Sequence, residues 1–183
     1  MKKKALFLDR DGVINEDLHY VHRIEDFHFV EGIFELLREV QEQAYLLIVI
    51  TNQAGIARGY YSEDDFHQLS HWMKARMKDK GIQLDAVYYC PFHPEHGIGK
   101  YRKKSDCRKP APGMIFKACR DFDIDLSASA LIGDKNSDIA AGQRAGVGTN
   151  ILFSPEALSR DEARSAFTIS RLEEAKRLIL QTA

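Results

Sequence analysis

The sequence has no charge of one sign to spare: 26 Lys and Arg stand against 27 Asp and Glu, a formal net charge of -1 at pH 7. That balance supplies no overall field to hold the chain on nucleic acid or on an anionic membrane, so any anion it binds must be held locally. Long hydrophobic runs are missing as well. No stretch reaches the roughly 18 apolar residues of a membrane span. The apolar run after Met1-Lys2-Lys3-Lys4 stops at Asp9, too short for the apolar part of a signal peptide. Cysteine is scarce: Cys90, Cys107 and Cys119 are an odd number with no short disulfide-like spacing. That usage fits a reducing compartment in which thiols are buried, reactive or metal-bound. Internal repeats and low-complexity linkers are absent too. The expectation is a cytoplasmic protein that engages neither membrane nor nucleic acid.

What is present suits one domain. The 183 residues are 44% hydrophobic, enough to bury a sizeable core. Short apolar, β-rich runs at 5–9, 46–51, 86–89, 130–134 and 149–153 alternate with helical patterns. Such alternation predicts βαβ units, and hence an α/β, doubly wound parallel sheet covered on both faces. Helices are predicted over 33–43, where Ile33, Leu36, Leu37 and Val40 recur at helical spacing; from the Ser62 cap to about Lys80; and over 113–121, 137–145 and 171–180. The last is expected to pack on an edge of the sheet. Two connections, 10–31 and 91–111, are too long for plain crossovers, and long loops in a compact domain usually carry function.

In an open parallel sheet ligands bind beyond the carboxyl ends of the strands. Polar residues gather there: Asp9-Arg10-Asp11-Gly12 after the first strand, Thr51-Asn52-Gln53 after the second, Gly133-Asp134-Lys135 after the fourth, with Arg108-Lys109-Pro110 ending the long loop. Two carboxylates near each other, with Asp134 as a third oxygen, attract a hard cation. One carboxylate can attack phosphorus while the other exchanges a proton. The Thr51 hydroxyl can donate to a phosphate oxygen, Asn52 can add an amide donor, and Lys109 and Arg108 can meet anionic charge. Each set alone has a bland reading, as a turn, a strand end or solvated surface charge. Their agreement in order and in position relative to the strands favours one shared site.

The motifs Leu8-Asp9-Arg10-Asp11-Gly12-Val13, Ile50-Thr51-Asn52, Lys109-Pro110 and Gly133-Asp134-Lys135-Asn136-Ser137-Asp138 resemble those of the haloacid-dehalogenase superfamily of phosphatases. The resemblance spans nearly the whole chain. The runs Thr51-Asn52-Gln53-Ala54-Gly55-Ile56-Ala57-Arg58-Gly59, Tyr88-Tyr89-Cys90-Pro91 and Cys107-Arg108-Lys109-Pro110 are similar to those of its heptose-bisphosphate phosphatases, with the histidinol-phosphate phosphatases as relatives. The resemblance implies a Mg²⁺-dependent phosphoric monoester hydrolase acting on a sugar phosphate in the supply of activated heptose for lipopolysaccharide or another surface glycan; neither long connection is long enough to fold alone, so no separate cap domain is expected. Histidinol phosphate is the alternative substrate. A phospho-accepting receiver is the alternative outside enzymes, although Asp11 and the long loops speak for turnover.

Carried over residue by residue, the resemblance makes Asp9 the nucleophile and Asp11 the general acid and base, with Thr51 and Lys109 on the transferring phosphoryl group. It assigns magnesium to Asp9, the main-chain carbonyl of Asp11, and Asp134, with Asp138 behind them. Asn52, Arg58, Arg108 and Lys135 are the substrate-binding candidates. The chain is expected to act as a monomer. One departure concerns zinc, which the resembling enzymes hold through a Cys-x-His pair and a Cys-x-Cys pair. Here Phe92 and Ser105 occupy two of those four positions. A degraded site of Cys90, His93 or His96, and Cys107 remains, and zinc is expected to be absent or weak.

Overall fold

A computed structural model of the protein describes residues 2–155 and 167–180. Six strands form one parallel sheet in the order β3-β2-β1-β4-β5-β6. They are β1 Lys4–Leu8, β2 Tyr45–Asn52, β3 Ala86–Cys90, β4 Ala130–Gly133, β5 Thr149–Phe153 and β6 Phe167–Ile169. The helices are α1 Ile33–Glu42, α2 Ala54–Ala57, α3 Glu63–Asp79, α4 Gly113–Phe122, α5 Asn136–Ala145 and α6 Ala175–Leu180. No helix among the described residues is long and apolar enough to cross a membrane.

The doubly wound arrangement follows from strand alternation. In β1, Leu6 and Leu8 join one apolar cluster with α1, α3 and α6, whereas Ala5 and Phe7 join another with α4 and α5. With both faces covered, the central strands read as continuous apolar runs. β1 pairs with β2 from Lys4↔Tyr45 to Leu8↔Val49 and with β4 from Leu6↔Ala130 to Leu8↔Ile132. This register brings the ends of β1, β2 and β4 to a common rim. Ser62 begins α3 as its sequence suggests: its hydroxyl accepts the Asp65 N–H at 3.1 Å, and the Asp65 carboxylate accepts the Ser62 N–H at 2.8 Å.

Three elements depart from the sequence expectation. The predicted 171–180 helix divides into a 3₁₀ turn, Leu172–Glu174, and α6, which packs against α1 and β5 on one face of the sheet rather than on its edge. The edge belongs to β6, which pairs with β5 from Ile151↔Phe167 to Phe153↔Ile169. Three residues with two of them exposed are too short and too polar in pattern to stand out as a strand. α2 is not among the helices expected from sequence, because a four-residue helix shows no periodicity.

Candidate active site

At the rim, Asp9 leaves β1 still pinned to its neighbour, its N–H donating to the Ile132 carbonyl at 3.0 Å. Its Oδ1 accepts the Arg10 N–H at 2.7 Å and lies 2.9 Å from the Lys109 ammonium. Lys109 is buried and also meets Asp138 Oδ1 at 2.8 Å and the Ile50 carbonyl at 2.8 Å. Burial pushes the Asp9 carboxyl up to about 7; Lys109 works against this, and Asp138, Asp134 and Asp11 add to it. Burial disfavours the charge on Lys109 as well, but Asp9 and Asp138 more than offset it and hold the ammonium above the ordinary lysine range.

Asn52, read from sequence as a substrate contact, is spent on position. Its Oδ1 accepts the Lys109 N–H at 3.0 Å and its Nδ2 donates to the Lys109 carbonyl at 3.1 Å. This reciprocal clasp ties the end of the long loop to the end of β2. Asp9, Asp11, Thr51, Asn52, Lys109 and Lys135 all line one cavity of about 280 Å³. Lys135 reaches it half-exposed, 2.9 Å from Asp17 and 3.2 Å from Asp134, and those carboxylates outweigh burial to raise its pKa.

Asp11 sits in a set of donors that sequence reading missed. The Arg10 side chain folds back so that Nη2 meets Asp11 Oδ1 at 2.9 Å and Nε lies 3.1 Å from Oδ2, while Nη2 also donates to the Val21 carbonyl at 2.6 Å. Asn15 Nδ2 donates to Oδ1 at 3.0 Å and Gln53 Nε2 to Oδ2 at 3.1 Å. Arg10 is only 1% exposed, a burial that a guanidinium tolerates when bidentately paired. Its place between two aspartates was the one sequence signal.

One oxygen each of Asp9, Asp134 and Asp138 lie within 4.8 Å of one another, the group among the described residues suited to a metal ion. The carboxylate of Asp11 is turned toward Arg10, Asn15 and Gln53, so the group that the sequence reading offers a cation from Asp11 remains its main-chain carbonyl, and Asp138 joins the side-chain trio. Asp138 is committed elsewhere, to Lys109 and to the Lys135 N–H at 3.0 Å. Asp134 Oδ1, by contrast, is buried with no hydrogen-bond partner. A divalent cation fits such a lone pair, and its charge would lower the Asp9 and Asp134 carboxyls again. Gly12, at φ +91°, makes the close approach to Asp134 possible; a Cβ there would stand 2.4 Å from Asp134 Oδ2.

Arg58 and Arg108 do not line this cavity. They form a separate basic patch with His93. Burial, then the nearby Arg58 charge, lowers the Arg108 pKa, and burial followed by Arg108, His96 and Arg58 lowers that of His93. Among the described residues Arg58 Nε is buried without a partner, and Arg108 Nη1 reaches only the Phe92 carbonyl, at 3.3 Å. Of the degraded zinc set read from sequence, Cys90 and Cys107 are brought together. Cys90 and Cys107 are joined in a disulfide, with their Cα atoms 5.4 Å apart. His93 Nδ1 accepts the His96 N–H at 3.0 Å. The pairing, which the sequence reading did not expect, arises because the end of β3 and the end of the long loop meet although 17 residues separate them.

An aspartate at the end of the first strand, answered by a lysine from the chain before α4 and by acidic residues after β4, puts the molecule in the haloacid-dehalogenase class of hydrolases. Residues 106–175 match the family model described as HAD-hydrolase-like. The D-glycero-alpha-D-manno-heptose-1,7-bisphosphate 7-phosphatase of Burkholderia mallei is 60% identical over 93% of this chain and 88% of its own length. The D-glycero-beta-D-manno-heptose-1,7-bisphosphate 7-phosphatase of Vibrio cholerae is 54% identical over 83% and 82%. Among solved structures, a D,D-heptose 1,7-bisphosphate phosphatase from B. bronchiseptica, complexed with magnesium and phosphate, superimposes with a TM-score of 0.85 at 26% identity, covering 98% of this chain and 99% of that one. A HAD-like phosphatase from Mesorhizobium loti gives 0.87 at 30% identity, over 100% and 88%. The chain belongs to the heptose-1,7-bisphosphate 7-phosphatase family of HAD phosphatases.

Proposed function

We propose that the chain hydrolyses the 7-phosphate of D-glycero-D-manno-heptose 1,7-bisphosphate through an aspartyl-phosphate on Asp9, supplying heptose monophosphate for an activated-heptose route to a surface glycan. The observation that carries this is the asymmetry of the Asp9 carboxylate. Oδ1 is held by the Arg10 N–H and by Lys109, whereas Oδ2 has no hydrogen bond among the described residues and is the oxygen available to attack phosphorus. As the bond from phosphorus to the sugar oxygen breaks, Asp11 gives its proton to the leaving alkoxide. The resulting Asp11 carboxylate then takes a proton from the water that attacks the aspartyl-phosphate, which releases phosphate and restores Asp9. Lys109 and the Thr51 hydroxyl hold the phosphoryl oxygens during both transfers.

Asp9, Asp134 and the main-chain carbonyl of Asp11 would hold Mg²⁺, which when bound neutralises charge between Asp9 and the phosphate. The Arg58 and Arg108 patch takes the second phosphate, and the binding energy gained there aligns the reacting one. Zinc has no part in this reading. The test is phosphate release from the 1,7-bisphosphate, supplied as both anomers because both occur among the relatives, with ³¹P NMR identifying the phosphate that remains. Loss of the 7-phosphate alone, abolished in Asp9→Asn, is expected; faster release from histidinol phosphate would refute the substrate assignment.

A further inference from the structure

We propose that Gln53, locked by Tyr61, is the positioning residue that aims Asp11 Oδ2 for proton transfer to the leaving oxygen. Gln53 is fully buried, and its side-chain amide is saturated. One N–H goes to Asp11 Oδ2 at 3.1 Å, the other to Thr51 Oγ1 at 2.8 Å, and Oε1 accepts the Tyr61 O–H at 2.5 Å. The amide therefore bridges the acid/base and the phosphoryl-binding hydroxyl. Because it donates to Thr51, it occupies an acceptor lone pair there and leaves the Thr51 hydrogen free for a phosphate oxygen.

The bridge works in one orientation only. Rotating the amide by 180° would set Oε1 against the Asp11 carboxylate and leave Thr51 facing an acceptor. The Tyr61 O–H on Oε1 opposes that rotation. Tyr61 is itself fixed by a stacked His22 ring at 5.0 Å and by Gly55, where a Cβ would lie 2.1 Å from the tyrosine ring. Gly55 thus lets the phenol come close enough to lock the amide. Burial, the leading cause, raises the Tyr61 pKa and keeps the phenol a donor. Arg10 reaches both Asp11 oxygens, and Asn15 adds a second anchor at Oδ1; Gln53 is the matching second anchor at Oδ2.

This inference rests on the aspartyl-phosphate reading and is tested so that the two fail differently. Phosphoryl transfer from an alkyl phosphate needs a proton on its leaving oxygen, whereas p-nitrophenolate leaves without one, and kcat/KM isolates that first step. Tyr61→Phe keeps the ring packing and removes only the lock. Its kcat/KM on the heptose phosphate is expected to fall about tenfold further than on p-nitrophenyl phosphate, whose own loss reports the Thr51 contact alone. Gln53→Met, an isosteric change, is expected to widen the same gap. In an Asp11→Asn background Tyr61→Phe is expected to add nothing to the selectivity. Equal losses on the two substrates, no loss on either, or a further selective loss without the Asp11 carboxyl would each overturn the inference. Asp9→Asn separates the parent reading: it silences both substrates whatever Tyr61 does, and turnover persisting in Asp9→Asn would overturn both proposals.

Discussion

In the cleft at the strand ends charges face opposite charges, whereas in the patch of Arg58, Arg108 and His93 they face their own kind. Lys109 is shared between Asp9 and Asp138, and Lys135 between Asp17 and Asp134. The patch has no comparable carboxylate partner for either arginine among the described residues; Arg58 lowers the proton affinity of Arg108, and both arginines lower that of His93. The cleft is thus set before any ligand arrives, and the patch is an arrangement that an anion completes. On the proposed function, reaction chemistry belongs to the first region and substrate choice to the second.

The comparison breaks first at Asp9. Asp9→Asn should lower turnover by about 10⁴-fold or more while leaving the melting transition in place, because an amide is a very poor nucleophile toward phosphorus. Retained turnover would show that the cleft does not form the covalent intermediate. Chelation is the next largest effect: EDTA should abolish activity on every substrate, Mg²⁺ should restore it, and the larger, looser Ca²⁺ should support it poorly. A metal-independent rate on either substrate would remove the cation from the cleft.

Lys109→Met and Arg108→Ala sharpen the contrast directly. Lys109→Met leaves Asp9 and Asp138 buried without their cation and should cost about 3–5 kcal/mol of stability, read from urea unfolding. Arg108→Ala should leave stability nearly unchanged yet cost about 1.5–3 kcal/mol in kcat/KM on the bisphosphate, and less on a monophosphate. Equal losses on both substrates would assign Arg108 to the reacting phosphate. The smallest effect expected is that of Glu63→Gln. Glu63 accepts the Tyr101 hydroxyl at 2.6 Å and that of Tyr89 at 2.5 Å, which ties the long loop to α3. Its loss should cost about 1 kcal/mol of stability and raise KM for the bisphosphate more than it lowers kcat.

The sequence made legible those features that depend on local pattern and on strand ends. Buried strands declared themselves as apolar runs, and the polar residues that interrupt them, Asp9, Thr51 and Asp134, stand at the common rim. Partnerships were not legible, because they are settled by tertiary approach. Nothing in the order of residues tells that Asn52 clasps the Lys109 backbone, that Asp138 shares the Lys109 ammonium, or that Arg10 folds back on Asp11. Gln53 and Tyr61 are eight residues apart and meet only because α2 turns the chain between them. The same holds for Cys90 and Cys107, whose meeting depends on where the long loop returns.

The clasp between Asn52 and Lys109 is electrically neutral on both sides, with amide meeting peptide. Dissolved ions screen the attraction between exposed charges beyond about 10 Å at 0.1 M and beyond about 3 Å at 1 M, but they do not weaken hydrogen bonds between neutral groups in the same way. Ionic strength therefore acts on the two regions unequally. On the proposed function, added salt should loosen the capture of a dianion at the arginine patch while the lysine stays beside Asp9, so a saline medium should raise the concentration of substrate needed without slowing the bound substrate's reaction.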